Sequence, residues 1–328
     1  MRLGIDTWSY SFACAMRDVK PARRLTAWDI LARVREWGLD GAQVGLGEMP
    51  DPASADFEAF RREIAASGLF WEVSAGGVQA EAEVLRALAY SRALGTRVVR
   101  SFMEGFGIQF KGISLDDYVD DAIAHIRRLL PEFERHDMVL CLENHGGLRL
   151  RYLRRVLETI DSAHLGVCLD TGNPLLTLED PLATVRELAP RTYTCHLKDW
   201  RLIRGPNGVI VRGCALGEGV VDLRAALDLI AAGAPDPDQL HLDIEAPQEY
   251  LELTLFTADF WRHHAEVGGA DLEGLLRLTE RHAAPPEADW RIASMRGEPE
   301  AVILAEEHDA IARSVRYCRE TLQLGPRA

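Results

Sequence analysis

The chain has 328 residues, of which 47% are hydrophobic and 27% charged, and it carries a net charge of −14. This apolar content is enough for a large core and excludes general disorder. The acidic balance argues against nucleic acid and anionic membranes as partners, because both carry negative charge themselves. The length fits one large α/β barrel or two ordinary domains.

Neither a membrane span nor a secretory signal is predicted. The sequence lacks a run of about 18 uncharged apolar residues. Asp6 interrupts the N-terminus where a signal peptide needs an apolar run. The default expectation is therefore a cytoplasmic protein. The six cysteines form no CxxC pair, so we expect buried free thiols rather than disulfides or a zinc site.

Short apolar runs along the chain predict eight buried strands. They are Leu3–Tyr10, Gly41–Leu46, Leu69–Ala75, Arg97–Met103, Met138–His145, Leu165–Asn173, Arg191–Trp200 and Leu240–Ala246. Amphipathic stretches between them predict helices. Gly38, Gly68 and Gly95 each follow such a stretch, as C-terminal caps do, and Ser114 opens the longest one.

This alternation of strands and helices predicts the fold class. Eight βα units in about 250 residues are what a (β/α)8 TIM barrel needs. The alternative, a doubly wound sheet, usually has a glycine-rich phosphate loop after its first strand, and the sequence has no GxGxxG or P-loop motif. We expect residues 1–250 to form a catalytic barrel. Residues 251–328 are expected to form a helical extension packed on the barrel or on a partner subunit, which is consistent with a homodimer.

The fifth to eighth predicted strands each end with one side chain suited to a metal. These residues are Glu143, Asp170, His196 and Glu245. The carboxyl ends of barrel strands meet at one face, where these groups would repel one another unless a cation lay between them. This set of oxygen and nitrogen ligands suits Mn²⁺ best, with Mg²⁺, Co²⁺ or Zn²⁺ as alternatives.

Each of these four residues also has a purely structural interpretation. Glu143 and Glu245 would then form salt bridges with arginines at the top of the barrel. Asp170 would cap the turn that follows it, and His196 would be a core histidine with its hydrogen bonds satisfied. We favour the metal interpretation because the four residues come from consecutive strands at one level.

Five short motifs surround these residues. They are LEN at 142–144, LDTGN at 169–173, HLKD at 196–199, GEGVVD at 217–222 and DIE at 243–245. Together they resemble the sugar phosphate isomerase/epimerase family, a xylose isomerase-like TIM barrel group that includes ketose 3-epimerases and endonuclease IV. The resemblance covers roughly residues 1–250. It implies one divalent metal held by the four residues, with Glu143 and Glu245 as the acid/base pair.

The chemistry of such a site supports the same conclusion. A metal chelated by a carbonyl and an adjacent hydroxyl acidifies the neighbouring C–H and stabilises an enediolate. Two glutamates on opposite faces can then remove and return a proton. We therefore expect a metal-dependent isomerase or epimerase of a sugar, polyol or keto-sugar derivative, active in carbohydrate metabolism.

Three other functions are weighed against this one. The first is a metal-dependent lyase, such as a dehydratase of a keto-inositol or dehydroshikimate-like compound. The second is an endonuclease IV-like nuclease, which needs a multi-metal cluster with several more histidines. The third is a non-catalytic sugar-binding barrel, which would not need two carboxylates placed as acid and base.

Further polar candidates lie close to the ligand set in sequence. His145 and Lys198 each lie two residues beyond a predicted ligand and so point to the same side of their strands. Both are expected at the substrate, with loop capping for His145 and pairing with Glu143 for Lys198 as alternatives. Asn173 stands where related epimerases often have histidine and is a candidate substrate contact. Asp199 is expected to orient a metal ligand or to form a surface salt bridge.

The remaining candidates concern substrate binding at the rim. Arg212 precedes the GEGVVD motif and is a candidate anchor for a polyol or phosphate, with a plain exposed arginine as the alternative. Trp8, Phe102, Phe106 and Phe110 are candidates for an apolar wall on which a sugar stacks. Aromatic residues at such positions are more often part of the core.

Overall fold

The computed structural model describes residues 1–104, 108, 112–264 and 266–325. Its parallel strands are β1 (Arg2–Asp6), β2 (Gly41–Gly45), β3 (Phe70–Gly77), β4 (Val98–Phe102), β5 (Val139–Glu143), β6 (Leu165–Asp170), β7 (Thr192–Leu197) and β10 (His241–Ile244). Within the described residues they close into a barrel in the order β1-β10-β7-β6-β5-β4-β3-β2. The predicted TIM barrel is confirmed.

Helices follow the barrel strands, as the sequence pattern predicts. They are α1 (Ala27–Trp37), α2 (Ala55–Ser67), α3 (Glu81–Ala93), α4 (Leu115–Arg135), α5 (Leu150–Ile160), α6 (Pro181–Leu188) and α7 (Leu223–Gly233). Their ends follow the expected signals. Gly38 ends α1 in the left-handed conformation at φ 58°. The Ser114 hydroxyl accepts the Asp117 N–H at 3.0 Å and caps the start of α4.

Several predicted strands end earlier than expected, and the first and seventh show why. β1 stops at Asp6, whose carboxylate accepts the N–H of Trp8 at 2.7 Å, and the chain turns into a short 3-10 helix. β7 stops at Leu197, so the apolar run through Trp200 belongs to two strands rather than one. In both places a local turn interrupts an apolar run that hydropathy alone cannot divide.

A small antiparallel sheet beside the barrel was not predicted from the sequence. It consists of β8 (Trp200–Gly205), β9 (Gly208–Gly213) and β11 (Tyr250–Leu253), in the order β11-β9-β8. The expected boundary at residue 250 therefore falls at the start of a strand, and the segment after it is not helical throughout. Its helices are α8 (Ala258–Arg262), α9 (Gly269–His282) and α10 (Glu300–Glu320).

The structure also bears on the predicted state of the cysteines and on the prediction of no membrane span. All six cysteines are buried and have free thiols. Over the described ranges, every helix is too short or too polar to cross a bilayer.

The last helix is joined to the start of the chain by a buried carboxylate. Glu307 of α10 accepts the backbone N–H groups of Phe12 at 2.8 Å and Ala13 at 3.1 Å, and its side chain is 1% exposed. Burial raises the pKa of Glu307 to about 7, although the two N–H donors oppose that rise. The protonated form is thus favoured in the folded protein.

We expect this group to make stability depend on pH. Because the folded pKa lies above the unfolded value, the contribution of Glu307 is greatest below about pH 4.5 and is lost as the pH rises through about 7. Relative to Glu307→Gln, which cannot ionise, the wild-type protein should lose on the order of 1–3 kcal/mol between pH 5 and 8. Calorimetric unfolding at both pH values measures the difference. The exposed Glu320→Gln on the same helix is the control, and a constant difference between wild type and Glu307→Gln would contradict the prediction.

Candidate metal centre

Four barrel strands bring the predicted ligands together. Glu143 and Asp170 are the last residues of β5 and β6, His196 lies near the end of β7, and Glu245 follows β10 directly. All four side chains are buried. One ligand atom from each residue lies within 4.8 Å of the ligand atoms of the other three. Parallel strands of a barrel end at one face, and this is why residues 102 positions apart in sequence meet.

The donor atoms of this set fit a divalent cation. Asp170 Oδ2, His196 Nδ1 and Glu245 Oε2 are buried and form no hydrogen bond. They lie against one another and against Lys198, with Nδ1 2.7 Å from Glu245 Oε2 and Lys198 Nζ 3.2 Å from Asp170 Oδ2. The other oxygen of Asp170 accepts the N–H groups of Gly172 at 2.7 Å and Asn173 at 2.8 Å, which fixes the carboxylate. Buried atoms of this kind are costly unless they are paired or bound to a metal. The set can therefore hold one divalent metal ion.

Two cations from neighbouring strands balance the glutamates. Arg100 of β4 donates from Nε and Nη2 to Glu143 Oε2, with Nε at 2.6 Å. Lys198 Nζ lies 2.6 Å from Glu245 Oε1 and 3.2 Å from Asp170 Oδ2. The arginine salt bridge weighed as an alternative for Glu143 therefore exists, but it uses only one of that residue's oxygens. Glu245 pairs with a lysine instead.

These neighbours and burial set the protonation of the carboxylates. Burial opposes ionisation of Glu143, but Arg100 and then His196 hold its pKa well below the ordinary value. Burial likewise opposes ionisation of Glu245, and Lys198 lowers its pKa to about 2. For Asp170, burial outweighs the attraction of Lys198 and raises the pKa to about 7. The ionised form is therefore favoured for Glu143 and Glu245, whereas Asp170 ionises less readily.

Next to the ligand set lies a cavity of about 480 Å³. This volume is within the range of small-molecule sites, roughly 300–1,000 Å³. The predicted substrate residues Trp8, Phe102, His145, Asn173 and Lys198 all line it.

The polar residues predicted to contact substrate are positioned by hydrogen bonds, ion pairs and a ring contact. Asn173 donates from Nδ2 to Glu143 Oε1 at 3.0 Å, and its Oδ1 accepts from Lys198 Nζ at 3.3 Å. Lys198 therefore pairs with Glu245 and Asp170 rather than with Glu143, the partner named from the sequence. The Phe102 ring lies 4.4 Å from the His145 ring, measured between centroids.

One predicted residue lies elsewhere. Arg212 is on β9, where it donates to Glu306 Oε1 and Gln248 Oε1, both at 2.9 Å, and it does not line this cavity. The small sheet that carries β9 was not foreseen, and it turns the arginine toward α10. Phe106 and Phe110 lie outside the described residues.

Asp199 has a different environment from either one expected. Its two oxygens accept the N–H groups of Trp200, Gly217, Gly219 and Val221 at 2.8–3.0 Å. It is fully buried. Asp199 therefore holds the GEGVVD loop in place rather than pairing at the surface or touching a ligand.

Sequence reasoning missed several polar residues inside the barrel. Arg100, Gln43 and Glu72 all lie within apolar strands, and Gln43 and Glu72 are completely buried. A charged or amide side chain in the middle of a buried strand is itself a signal, because burial without a partner is unfavourable. The sequence therefore carries this signal at strand centres as well as at strand ends.

Both the sequence and the structure are similar to those of known proteins. Residues 31–250 match the sequence model of the Xylose isomerase-like TIM barrel family. This match covers more than half of the chain, and the protein belongs to that family.

Three individual proteins to which the chain is similar share less than 30% sequence identity with it. The chain is 28% identical over 273 residues to a 3-oxo-isoapionate decarboxylase of Pectobacterium atrosepticum, covering 81% of this chain and 94% of that protein. Its structure is similar to D-psicose 3-epimerase from Clostridium cellulolyticum H10, with a TM-score of 0.59 and 14% identity over 97% of this chain and 99% of that one. It is also similar to the probable 3-DHS dehydratase AsbF from Bacillus anthracis, with a TM-score of 0.55 and 18% identity over 74% and 92%. At these identities, the two structures support the fold alone.

We predict that metal binding depends on Glu245 and not on its neighbour Glu249. Glu249 lines the same cavity but its Oε2 binds Trp8 and Arg17, and its Oε1 lies 3.9 Å from Lys198 Nζ, farther than that of Glu245 at 2.6 Å. Glu245→Gln should weaken Mn²⁺ binding by more than about 100-fold, because it removes an anionic donor. Glu249→Gln should bind Mn²⁺ as the wild type does. Calorimetric titration measures both affinities, and unchanged binding by Glu245→Gln would place the cation elsewhere.

Asp199→Asn should loosen the GEGVVD loop. An amide nitrogen replaces one of the two oxygens that accept four N–H groups, so at least one donor loses its partner. We expect a loss of about 2–4 kcal/mol in the free energy of unfolding. Chemical denaturation measures this loss, with the exposed Asp161→Asn as control. If Asp199→Asn proves as stable as that control, the carboxylate does not anchor the loop.

Proposed function

We propose that this chain is a divalent-metal-dependent enzyme that acts on a keto-sugar derivative through an enediolate. The observation that carries the proposal is the convergence of four buried side chains, with one ligand atom from each of Glu143, Asp170, His196 and Glu245 within 4.8 Å of the others, beside a sugar-sized cavity. With Glu143 these residues would hold the ion, for which Mn²⁺ is our first choice. A bound divalent cation supplies Lewis acidity, which polarises a substrate carbonyl and stabilises the negative charge of the enediolate.

The contacts of the two glutamates bear on which reaction follows. Glu143 directs Oε1 toward the ligand set and gives Oε2 to Arg100. Glu245 places Oε2 2.7 Å from His196 Nδ1 and gives Oε1 to Lys198. Each glutamate thus has one oxygen at the ligand set and the other on a cation. Removal of a C–H proton by either residue requires it to give up one of these contacts.

A reaction that needs no base therefore fits the contacts best, and decarboxylation of a 3-oxo sugar acid is such a reaction. The bond between the carboxylate and the hydroxyl-bearing carbon beside the ketone breaks, and its electron pair moves to the ketone to give an enediolate. CO₂ leaves, and one proton then adds to the carbon that carried the carboxylate. The 28% identity with a 3-oxo-isoapionate decarboxylase supports this choice.

Lys198 is our candidate for the proton donor. Its ammonium group lines the cavity and is held by Glu245 and Asp170, so it has a fixed position beside the substrate space. Transfer of a proton from Nζ to the carbanion carbon completes the reaction, and Lys198 regains a proton from water. General acid catalysis of this type contributes about 10²–10⁴-fold in rate.

Isomerisation or epimerisation is the second candidate, with Glu143 and Glu245 as the acid/base pair. It is supported by the barrel order, in which β5 and β10 are separated by β6 and β7. Glu143 Oε1 and Glu245 Oε2 thus reach His196 Nδ1 from separate strands, at 3.5 and 2.7 Å. In this reaction the glutamates must exchange their contacts with Arg100 and Lys198 for the substrate proton.

One experiment distinguishes these reactions. Mn²⁺-loaded protein is incubated in D₂O with a panel of 3-oxo sugar acids, keto-sugars and inososes. We expect CO₂ in equal amount to a product that carries one deuterium at the carbon that lost its carboxylate. Deuterium uptake without CO₂ would instead identify an isomerase or epimerase, and a new enone absorbance a dehydratase. Full activity after treatment with EDTA would contradict the metal requirement.

Variants assign the roles within this reaction. Lys198→Met should lower kcat by about 10²–10⁴-fold while Mn²⁺ still binds, because the proton donor is lost. Lys20→Met is the matched control, since Lys20 is exposed and donates only to the carbonyl of Ala15. Glu143→Gln and Glu245→Gln should abolish turnover and leave the fold intact. Wild-type turnover by Lys198→Met would exclude Lys198 as the donor.

A further inference from the structure

A row of polar side chains continues from the ligand set into the interior of the barrel. Gln43 of β2, Glu72 of β3 and Thr194 of β7 are completely buried. His241, the first residue of β10, lies at the opposite end of the barrel. Barrel interiors are usually filled by branched apolar side chains, so polar residues at these positions call for a physical reason.

These side chains form one continuous hydrogen-bonded row. His196 Nε2 and Gln43 Oε1 are 2.9 Å apart, and Gln43 Nε2 donates to Glu72 Oε2 at 2.8 Å. The Glu72 carboxylate also meets Thr194 Oγ1 at 2.9 Å and His241 Nδ1 at 2.5 Å. The row thus links a predicted metal ligand to a histidine at the far end of the barrel.

The direction of each hydrogen bond follows from the chemistry of the groups. Three donors converge on the Glu72 carboxylate, which only accepts. The Gln43 amide must therefore turn its nitrogen toward Glu72 and its oxygen toward His196. An amide oxygen cannot donate, so Nε2 of His196 carries the proton. In neutral His196, Nδ1 is then unprotonated, and Nδ1 is the atom that faces the other ligands.

We infer that Gln43 and Glu72 are positioning residues that hold His196 as the Nε2–H tautomer and aim its Nδ1 at the cation. Glu72 fixes the amide of Gln43, and His241 and Thr194 in turn fix Glu72. The inference rests on the metal site of the proposed function, but not on which reaction that site performs. Groups that orient a ligating histidine in this way typically affect metal affinity by about 10–100-fold.

The first test measures Zn²⁺ affinity, because Zn²⁺ is diamagnetic and permits NMR on the same samples. Gln43→Met has a similar size and removes both ends of the amide. We expect it to bind Zn²⁺ about 10–100-fold more weakly than the wild type. Thr192→Val is the control, since Thr192 is buried on the same strand as Thr194 but donates to the carbonyl of Leu188 at 3.0 Å, outside the row, and its affinity should stay within about threefold of the wild type.

The second readout reports the tautomer directly. ¹⁵N chemical shifts of His196 in the Zn²⁺-loaded wild type should show a protonated Nε2 and an unprotonated Nδ1, and Gln43→Met should lose this preference. A purely structural role for Gln43 would lower stability without moving the proton between the two nitrogens. If Gln43→Met does not fold, Gln43→Asn replaces it, because the shorter amide cannot span both partners and should weaken Zn²⁺ binding similarly.

A double variant provides the rescue. In Gln43→Glu/Glu72→Gln, the carboxylate and the amide trade places, so an acceptor again faces His196 and an amide nitrogen again donates between the two positions. Zn²⁺ affinity should return to within about threefold of the wild type. Unchanged affinity and unchanged His196 shifts in Gln43→Met or Gln43→Asn would overturn the inference. Failure of the wild type to bind Zn²⁺ would instead overturn the metal site itself.

Discussion

Compensation of buried negative charge is the constraint on which the rest of this site depends. The barrel interior and its carboxyl end contain six buried acidic side chains, which are Asp6, Glu72, Glu143, Asp170, Asp243 and Glu245. An ionised carboxylate without a partner is strongly unfavourable in such surroundings. Arg100 and Lys198 offset part of this charge, and His196 and His241 lie within hydrogen-bond distance of Glu245 and Glu72. A divalent cation held by Glu143, Asp170, His196 and Glu245 would offset more of it.

The ion pairs of Arg100 and Lys198 also give the residues of the site different roles. The cations take one oxygen from each glutamate and leave the other at the ligand set, so Glu143 and Glu245 are suited to bind a metal and poorly placed to act freely as bases. A buried ammonium at the cavity wall is at the same time available to a carbanion formed there. Under the proposed function, the contacts of Arg100 and Lys198 are the reason for placing decarboxylation before epimerisation, although the four predicted ligands alone would serve either reaction.

Residues outside the barrel strands shape the site by binding the backbone of the loops around it. Asp199 accepts the N–H groups of Trp200 and of three residues of the GEGVVD loop, and Glu307 joins α10 to the backbone of Phe12 and Ala13. Trp8, which lines the cavity, belongs to the short 3-10 helix just before Phe12. Carboxylates that bind backbone groups thus fix the rim, whereas carboxylates that face one another at the barrel end form the donor set. The same residue type performs both tasks, and its neighbours decide between them.

The sequence by itself determined the barrel and its ligand set. Strand periodicity and the rule that barrel strands end at one face were sufficient to bring Glu143, Asp170, His196 and Glu245 together, since both act locally along each strand. The sequence did not determine partners across the barrel. Examples are the contacts of Arg100 with Glu143, of Gln43 with His196 and of Arg212 with Glu306 of α10. Each depends on how strands and helices that are far apart in the chain are placed relative to one another. Only the tertiary structure decided those contacts, because pairwise charge and hydrogen-bond energies depend on distances that no local pattern encodes.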